Sequence, residues 1–175
     1  MSLHIVIDGY NLIRQSKKLS VIERNSLEEG REALLDRLAS YRQVRHHPMT
    51  VVFDGAYANN LMQARGHHKG ISVIFSHRGE SADSVIKRLV MRERERMVVV
   101  SSDKEVADFA TKHGAATIDS NEFENKIIMT AQGDSTLADL SEEEERGWTP
   151  TTRKKGPSHR QSKRKRKSHA RTRKL

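Results

Sequence analysis

Four short runs of apolar, largely β-branched residues, each separated from the next by a stretch long enough for a helix, constrain this chain most. They are Leu3–Asp8, Met49–Asp54, Gly70–Ser76 and Met97–Ser101, with a weaker fifth run at Ala115–Asp119. Near-continuous Val and Ile suits strands covered on both faces, as in a parallel sheet. The stretches between them carry helical periods. Ser26 and Glu29 form a capping box ahead of Leu27, Leu34, Leu35, Leu38 and Val44. Ala82, Val85, Ile86, Leu89 and Val90 share one helical face, and Val106, Phe109, Ala110 and His113 share another before a stop at Gly114. Phe123, Ile127, Ile128 and Ala131 make a last amphipathic period. Strand and helix alternating, with right-handed crossovers, predict an α/β fold of three layers, α/β/α.

Other segments read less regularly. Asn11–Lys18 predicts a short helix. Ala56–Lys69 reads either as a helix through Leu61, Met62 and Gln63 that ends at Gly66, or as a lid. Ser141–Trp148, with four consecutive Glu, reads as a polar helix or linker. The expected division is a domain over residues 1–140, then an acidic linker and basic tail over 141–175.

Charge separates the two parts. Of 32 Lys and Arg, 12 lie between Thr149 and Leu175, where there is no Asp or Glu; the other 20 face all 23 acids, so residues 1–148 carry a net −3 against +9 overall. The tail holds Arg153, Lys154, Lys155, Arg160, Lys163, Arg164, Lys165, Arg166 and Lys167. So dense a polycation is expected to be disordered or extended in isolation and to bind RNA through counterion release. A solvated tail that only aids solubility is the plain alternative. With no Cys in the chain, disulfides and thiolate-bound zinc are excluded. The pairs His46-His47 and His67-His68 sit side by side on loops, where imidazoles seldom converge, so no zinc is assigned. No apolar run approaches the roughly 20 residues that span a bilayer, and no leader precedes the first strand; a cytoplasmic protein is expected.

Acidic residues follow the strands. Asp8, Asp54 and Asp103 come just after apolar runs, and Asp83 opens a helix. Singly, each has an ordinary role: Asp8-Gly9 suits a turn, Asn11 suits a cap, and Ser81 or Ser102 caps a helix with an acid in its first turn. Together they fall on the carboxyl edge of a parallel sheet, where ligands bind. Carboxylates gathered there repel one another unless a hard cation lies between them.

The segments Ile7-Asp8-Gly9-Tyr10-Asn11-Leu12-Ile13, Val51-Val52-Phe53-Asp54-Gly55, Glu80-Ser81-Ala82-Asp83-Ser84-Val85-Ile86 and Val100-Ser101-Ser102-Asp103 resemble the YacP-like NYN domain proteins of the PIN-like nuclease superfamily. The resemblance runs in order from about Leu3 to Ile128. It implies a five-stranded, mainly parallel sheet and metal-dependent endoribonuclease activity. Asp8, Asp83 and Asp103 then correspond to the acidic site that takes Mg²⁺ or Mn²⁺, with Asn11 and Ser102 beside it as further catalytic residues. Asp54 and Glu80 are additional metal candidates, and Glu80 and Asp108 are the candidates for the further acid that PIN-like sites often use, with neither fixed by its position in the sequence. The expected partner is RNA (messenger, ribosomal or transfer), with a ribosome as a second candidate. A phosphatase of the haloacid dehalogenase type would need a second Asp where Tyr10 stands, and a dinucleotide fold would need a glycine-rich first turn that Asp8-Gly9-Tyr10-Asn11 does not supply. A non-catalytic RNA-binding protein on the same scaffold stays open.

Overall fold

The computed structural model describes residues 3–55, 65–133 and 163–175, the last stretch with side chains from Arg166 onward. The order is β1 (His4–Asp8), α1 (Gly9–Gln15), α2 (Lys17–Asn25), α3 (Leu27–Arg45), β2 (Met49–Phe53), β3 (Arg65–His68) and β4 (Ile71–Phe75). Then come α4 (Ala82–Glu93), a single 3₁₀ turn, β5 (Met97–Val100), α5 (Lys104–Lys112), β6 (Ala116–Ile118), α6 (Ser120–Ala131) and α7 (Lys163–Thr172).

Six strands form one sheet in the order β3-β4-β2-β1-β5-β6, parallel except for β3, which runs antiparallel beside β4. Strand alternation splits the core in two. Ile5 and Ile7 of β1 face α1, α2, α3 and α6, joining Leu12, Leu34, Leu38 and Phe123. Val6 faces the other way and packs with Val85, Ile86 and Val90 of α4 and Val106 and Ala110 of α5. Val98 and Val99 of β5 divide likewise. Both faces are therefore covered, as the apolar runs required.

Chain order reverses at β1: β2 and β4 lie on one side of it, β5 and β6 on the other. That switch point opens a crevice at the carboxyl ends of β1 and β5. Local capping fixes where the helices that follow β1 begin. Ser26 Oγ accepts from Glu29 N at 3.3 Å, as the capping box requires. Ser16 Oγ, fully buried, accepts from Leu19 N and divides α1 from α2, so the short helix expected over Asn11–Lys18 begins earlier and breaks at Ser16.

Two segments depart from expectation. The sheet has a sixth strand, Arg65–His68, where a helix end or lid was read; residues 56–64 lie outside those described. Arg-Gly-His-His has no apolar run to betray a strand, yet an edge strand needs none, because its outer side faces solvent. Lys69 and Gly70, both at positive φ, close the β3–β4 hairpin as a two-residue turn. At the far end, Lys163–Thr172 is helical and docked, not extended. Ser168, Arg171, Thr172 and Leu175 recur at helical spacing on its covered side, Leu175 joins the main core, and Tyr41 donates its hydroxyl to the Leu175 carbonyl. Arg171 adds bonds to the Gly114 carbonyl (2.9 Å) and Glu95 (3.1 Å). Arg166 and Lys167 stay exposed; Arg153, Lys154, Lys155 and Arg160 lie outside the described residues, and so do the side chains of Lys163, Arg164 and Lys165. Among the described residues no helix is long and apolar enough to cross a membrane.

Candidate active site

Asp8 is the best-placed acid. It ends the central strand, is 8% exposed, and caps α1 by accepting the Asn11 N–H on Oδ1 at 3.2 Å. One oxygen thus does the capping. The other, Oδ2, accepts a long contact of 3.5 Å from the Ser101 hydroxyl. Ser101 Oγ in turn accepts the Asp103 N–H at 3.1 Å, so one buried hydroxyl ties the ends of β1 and β5 together. Asp103 repeats the device: its Oδ1 accepts from Glu105 N (2.7 Å) and Val106 N (3.2 Å) as the cap of α5. The ordinary reading of both acids as helix caps holds, and each cap engages a single carboxylate oxygen.

The crevice brings these acids into one field. Burial raises the Asp8 carboxyl to about 6; the Asn11 N–H and Ser101 hydroxyl oppose this, and the charges of Asp83 and Asp103 reinforce it. Asp83, in the first turn of α4 behind the Ser81 cap, is also raised, by burial first and then by Asp103, with Lys87 opposing and Glu105 and Asp54 adding to the rise. A groove of about 370 Å³ is lined by Asp8, Asn11, Asp54 and Asp83 together with Tyr10 and Arg14. Asp54 holds its rim because Gly55 lets the chain turn against β4: a Cβ on Gly55 would stand 1.9 Å from the Ser76 carbonyl oxygen.

Other expected residues have different duties. Asn11 Oδ1 accepts from Ser102 N (2.9 Å) and from the Ser120 hydroxyl (2.7 Å), clasping the ends of β1, β5 and β6. Ser102 donates its hydroxyl to Asp119 Oδ2 at 2.7 Å and accepts from Ser120 N at 3.2 Å. Both polar groups are spent on holding the crevice walls. Glu80 is not brought into the acidic group. One of its oxygens accepts from Arg88 at 2.7 Å and the other lies 3.4 Å from His77 N, and the Arg88 bond holds its carboxyl below the usual range. Asp108 is exposed on α5.

Sequence reasoning missed several neighbours. Lys87, three-quarters covered, is paired with Glu105, and that bond raises its pKa first, with the charges of Asp83 and Asp103 adding to the rise. Arg14 stands 5.5 Å over the Tyr10 ring and 3.4 Å from Glu23, while Tyr10 is fixed by Arg31 and by edge contact with Phe53. A period of one helix turn from Asp83 to Lys87, and from Tyr10 to Arg14, was the signal available.

The donors suit a hard divalent cation: oxygen ligands only, partly desolvated and mutually repelling. They form a neighbourhood, not a closed cage. Among the described residues no three His, Asp or Glu side chains are grouped tightly enough to hold an ion alone. Magnesium fits such a site, because it keeps several waters and takes one or two carboxylates.

The YacP-like NYN domain family matches over residues 5–174. YacP of Bacillus subtilis (strain 168) is 33% identical over 85 residues, which is 49% of this chain and 49% of that one, so the match spans about half of the relative's length. The crystal structure of Rae1 (YacP) from Bacillus subtilis superposes with a TM-score of 0.63 at 25% identity, covering 83% of this chain and 84% of that chain. A variant of the same protein gives a TM-score of 0.63 at 24% identity over 82% and 86%. With the family match running nearly end to end and the fold shared across most of both chains, this protein belongs to the YacP-like NYN domain family, whose PIN-like nuclease fold carries an RNA-related, nuclease-type role.

Proposed function

We propose that this protein is a metal-dependent endoribonuclease that hydrolyses internal phosphodiester bonds of RNA. The observation that carries the proposal is the convergence of Asp8, Asp83 and Asp103 at the switch point of the sheet: Asp8 and Asp83 line one groove, one buried serine ties Asp8 to the backbone of Asp103, Asp83 and Asp103 both raise the proton affinity of Asp8, and Asp103 raises that of Asp83. Asp8, Asp83 and Asp103 would hold Mg²⁺ or Mn²⁺, with Asp54 on the groove rim. When bound, the ion supplies charge neutralisation at the phosphate and a lowered pKa for bound water.

The chain's own residues do the rest. Asn11 and Ser102 keep the ends of β1, β5 and β6 in register, so that the acids hold their spacing. Arg14, paired with Glu23, adds a cation to the same groove as Asp83, where it would meet a flanking phosphate of a bound strand. Water attack on phosphorus with departure of the 3′ oxygen leaves 5′-phosphate and 3′-hydroxyl ends. Attack by the RNA's own 2′-hydroxyl would leave a cyclic phosphate instead.

The test is purified protein on defined RNAs, with Mn²⁺ or Mg²⁺ against EDTA, and mapping of product ends. Metal-dependent cuts that vanish in Asp8→Asn and Asp103→Asn are expected. Both substitutions keep a capping oxygen, since Asn caps helices as well as Asp, so loss of cleavage is not loss of fold. Cutting at the wild-type rate by both variants would refute the assignment. The looseness of the acidic group favours a second reading, a non-catalytic RNA-binding protein; RNA binding without any metal-dependent product would establish it.

A further inference from the structure

Charge is divided between the two ends of the strands. The acids gather where the strands finish, and the segments that lead into the strands are cationic. Arg45 lies four residues before Met49 of β2, Arg94 and Arg96 stand in the turn just before Met97 of β5, and Lys112 lies four residues before Ala116 of β6. All four side chains are exposed. β2, β1, β5 and β6 are parallel neighbours, so their starts fall on one edge, with His4 of β1 beside Met97 and Ile5 beside Met49. A five-residue strand such as β2 separates this amino edge from the carboxyl edge by roughly 16 Å at about 3.3 Å per residue.

Printed contacts aside from strand order join these segments. Pro48, at the entry to β2, lines one cavity of about 500 Å³ with His4, Arg92 and Arg96. His47 Nε2 lies 3.2 Å from the Lys174 carbonyl oxygen. Arg171 of α7 reaches the Gly114 carbonyl ahead of β6 and Glu95 ahead of β5. The end of α7 is thus fastened across the same edge, and Lys174, also exposed, joins the cations there. The acids nearby are engaged: Glu93 with His4 and Arg92, and Glu95 with Arg171. Arg45, Arg94, Arg96 and Lys174 have no ion pair among the described residues. Helix dipoles account for Arg45 in the last turn of α3 and Lys112 in that of α5. They do not account for Arg94 and Arg96, in a single 3₁₀ turn beyond α4, or for Lys174 beyond α7. Like charges held along one edge repel, and a polyanion laid across them relieves the repulsion.

We infer that the amino edge is a second RNA-binding surface, where Arg45, Arg96 and Lys174, with Arg94 and Lys112 beside them, meet the phosphate backbone away from the acidic groove. From β2 to β6 is three strand spacings, roughly 14 Å at about 4.8 Å each, which covers about four phosphates at about 3.4 Å per phosphate of one strand. Contacts of this kind position a strand and carry no base readout. The surface holds a distant part of a long RNA, and a short oligonucleotide lodged in the acidic groove leaves it bare. The inference rests on the reading of RNA as the substrate class, and needs neither a metal ion nor cleavage.

Full-length protein in EDTA, titrated with a long single-stranded RNA across a salt series, tests it. One variant combines Arg45→Gln, Arg96→Gln and Lys174→Gln, removing a charge from each of three segments. The control combines Lys17→Gln, Lys18→Gln and Arg24→Gln, exposed on α2, and removes the same charge elsewhere. The amino-edge variant should lose about tenfold in affinity at low salt, and its slope of log affinity against log salt should flatten by about 2, at roughly 0.7 per phosphate contact on a single strand. The control should keep most of the wild-type affinity. If the combined variant melts early, Arg96→Gln alone gives the same test, with about a third of the change in slope. Equal losses in variant and control, an unchanged slope, or no RNA binding by the wild type overturns the inference. Poly-glutamate, titrated in parallel, stands for an acidic protein partner; loss of its binding with RNA binding kept assigns the edge to a protein and overturns the inference. Since EDTA silences any metal-dependent step, a failure to cut RNA refutes only the nuclease reading.

Discussion

Asp8 answers three demands with one carboxylate. It ends a buried strand, caps a helix with Oδ1, and faces two other acids. The cost can be read from linkage. Its folded-state pKa of about 6 lies above the ordinary 3.8, so between those values the folded protein binds the proton more tightly than the unfolded chain does. The group's contribution to stability is therefore full below about pH 4 and is lost as pH rises through about 6. A shift of that size corresponds to roughly 3 kcal/mol at neutral pH. In EDTA, Asp8→Asn should accordingly be more stable than the wild type at pH 7, by up to about 3 kcal/mol, with the gap closing towards pH 4. Denaturant unfolding at the two pH values measures it; a variant less stable than wild type at pH 7 would contradict the account of buried, repelling charge. Adding Mg²⁺ should narrow the gap, because a ligand that binds only the folded wild type raises its stability.

Among the elements, three neighbouring strand-to-helix turns use the same device, an Asp N-cap at the carboxyl edge. Asp8, Asp103 and Asp119 each accept backbone N–H groups of the helix that follows. What separates them is the second oxygen. Asp119 Oδ2 accepts the Ser102 hydroxyl; burial pushes the Asp119 pKa up, but that bond and those from Asn121 and Glu122 outweigh it and hold the carboxyl below its usual range. Asp119 is thus spent on structure with both oxygens, whereas the caps made by Asp8 and Asp103 engage Oδ1 alone. Asp119→Asn should retain most cleavage activity where Asp103→Asn abolishes it, and equal loss in both would erase the distinction. Asn11 belongs to the same framework. Asn11→Ala leaves the Ser102 N–H and the Ser120 hydroxyl without their acceptor and should cost about 1–3 kcal/mol in thermal or denaturant unfolding. An unchanged midpoint would show that water replaces the amide.

For the molecule as a whole, the basic end of the chain is both a charge reservoir and part of the core. Leu175 is 1% exposed, the Tyr41 hydroxyl donates to the Leu175 carbonyl, and burial pushes that phenol up to about 12. Leu175→Ala should destabilise by about 2 kcal/mol or more, the usual result of emptying a buried leucine site. Deleting 149–175 would therefore mix any loss of RNA binding by the tail with a damaged core. Arg166→Gln with Lys167→Gln separates them, since both side chains are exposed. RNA binding at low salt should weaken with no change in melting temperature, because counterion release follows the number of phosphates neutralised. Unaltered binding would discard α7 as an RNA contact.

Much was decided by pattern alone. The parallel sheet, its two-sided core and the placing of Asp8 and Asp103 at central strand ends follow from β-branched runs and cap spacing, which are local properties of the chain. Other features have no local signature. Arg65–His68 becomes a strand only because β4 offers an unpaired edge, and Leu175 is buried only because α3 and β6 leave a surface for it. The same holds for function. Which acids sit after strands was legible, but Glu80 and Asp119 look no different from Asp83 and Asp103 until Arg88 and Ser102 are seen to occupy them. A carboxylate's availability depends on what lies across from it, and only the folded chain brings that neighbour within reach.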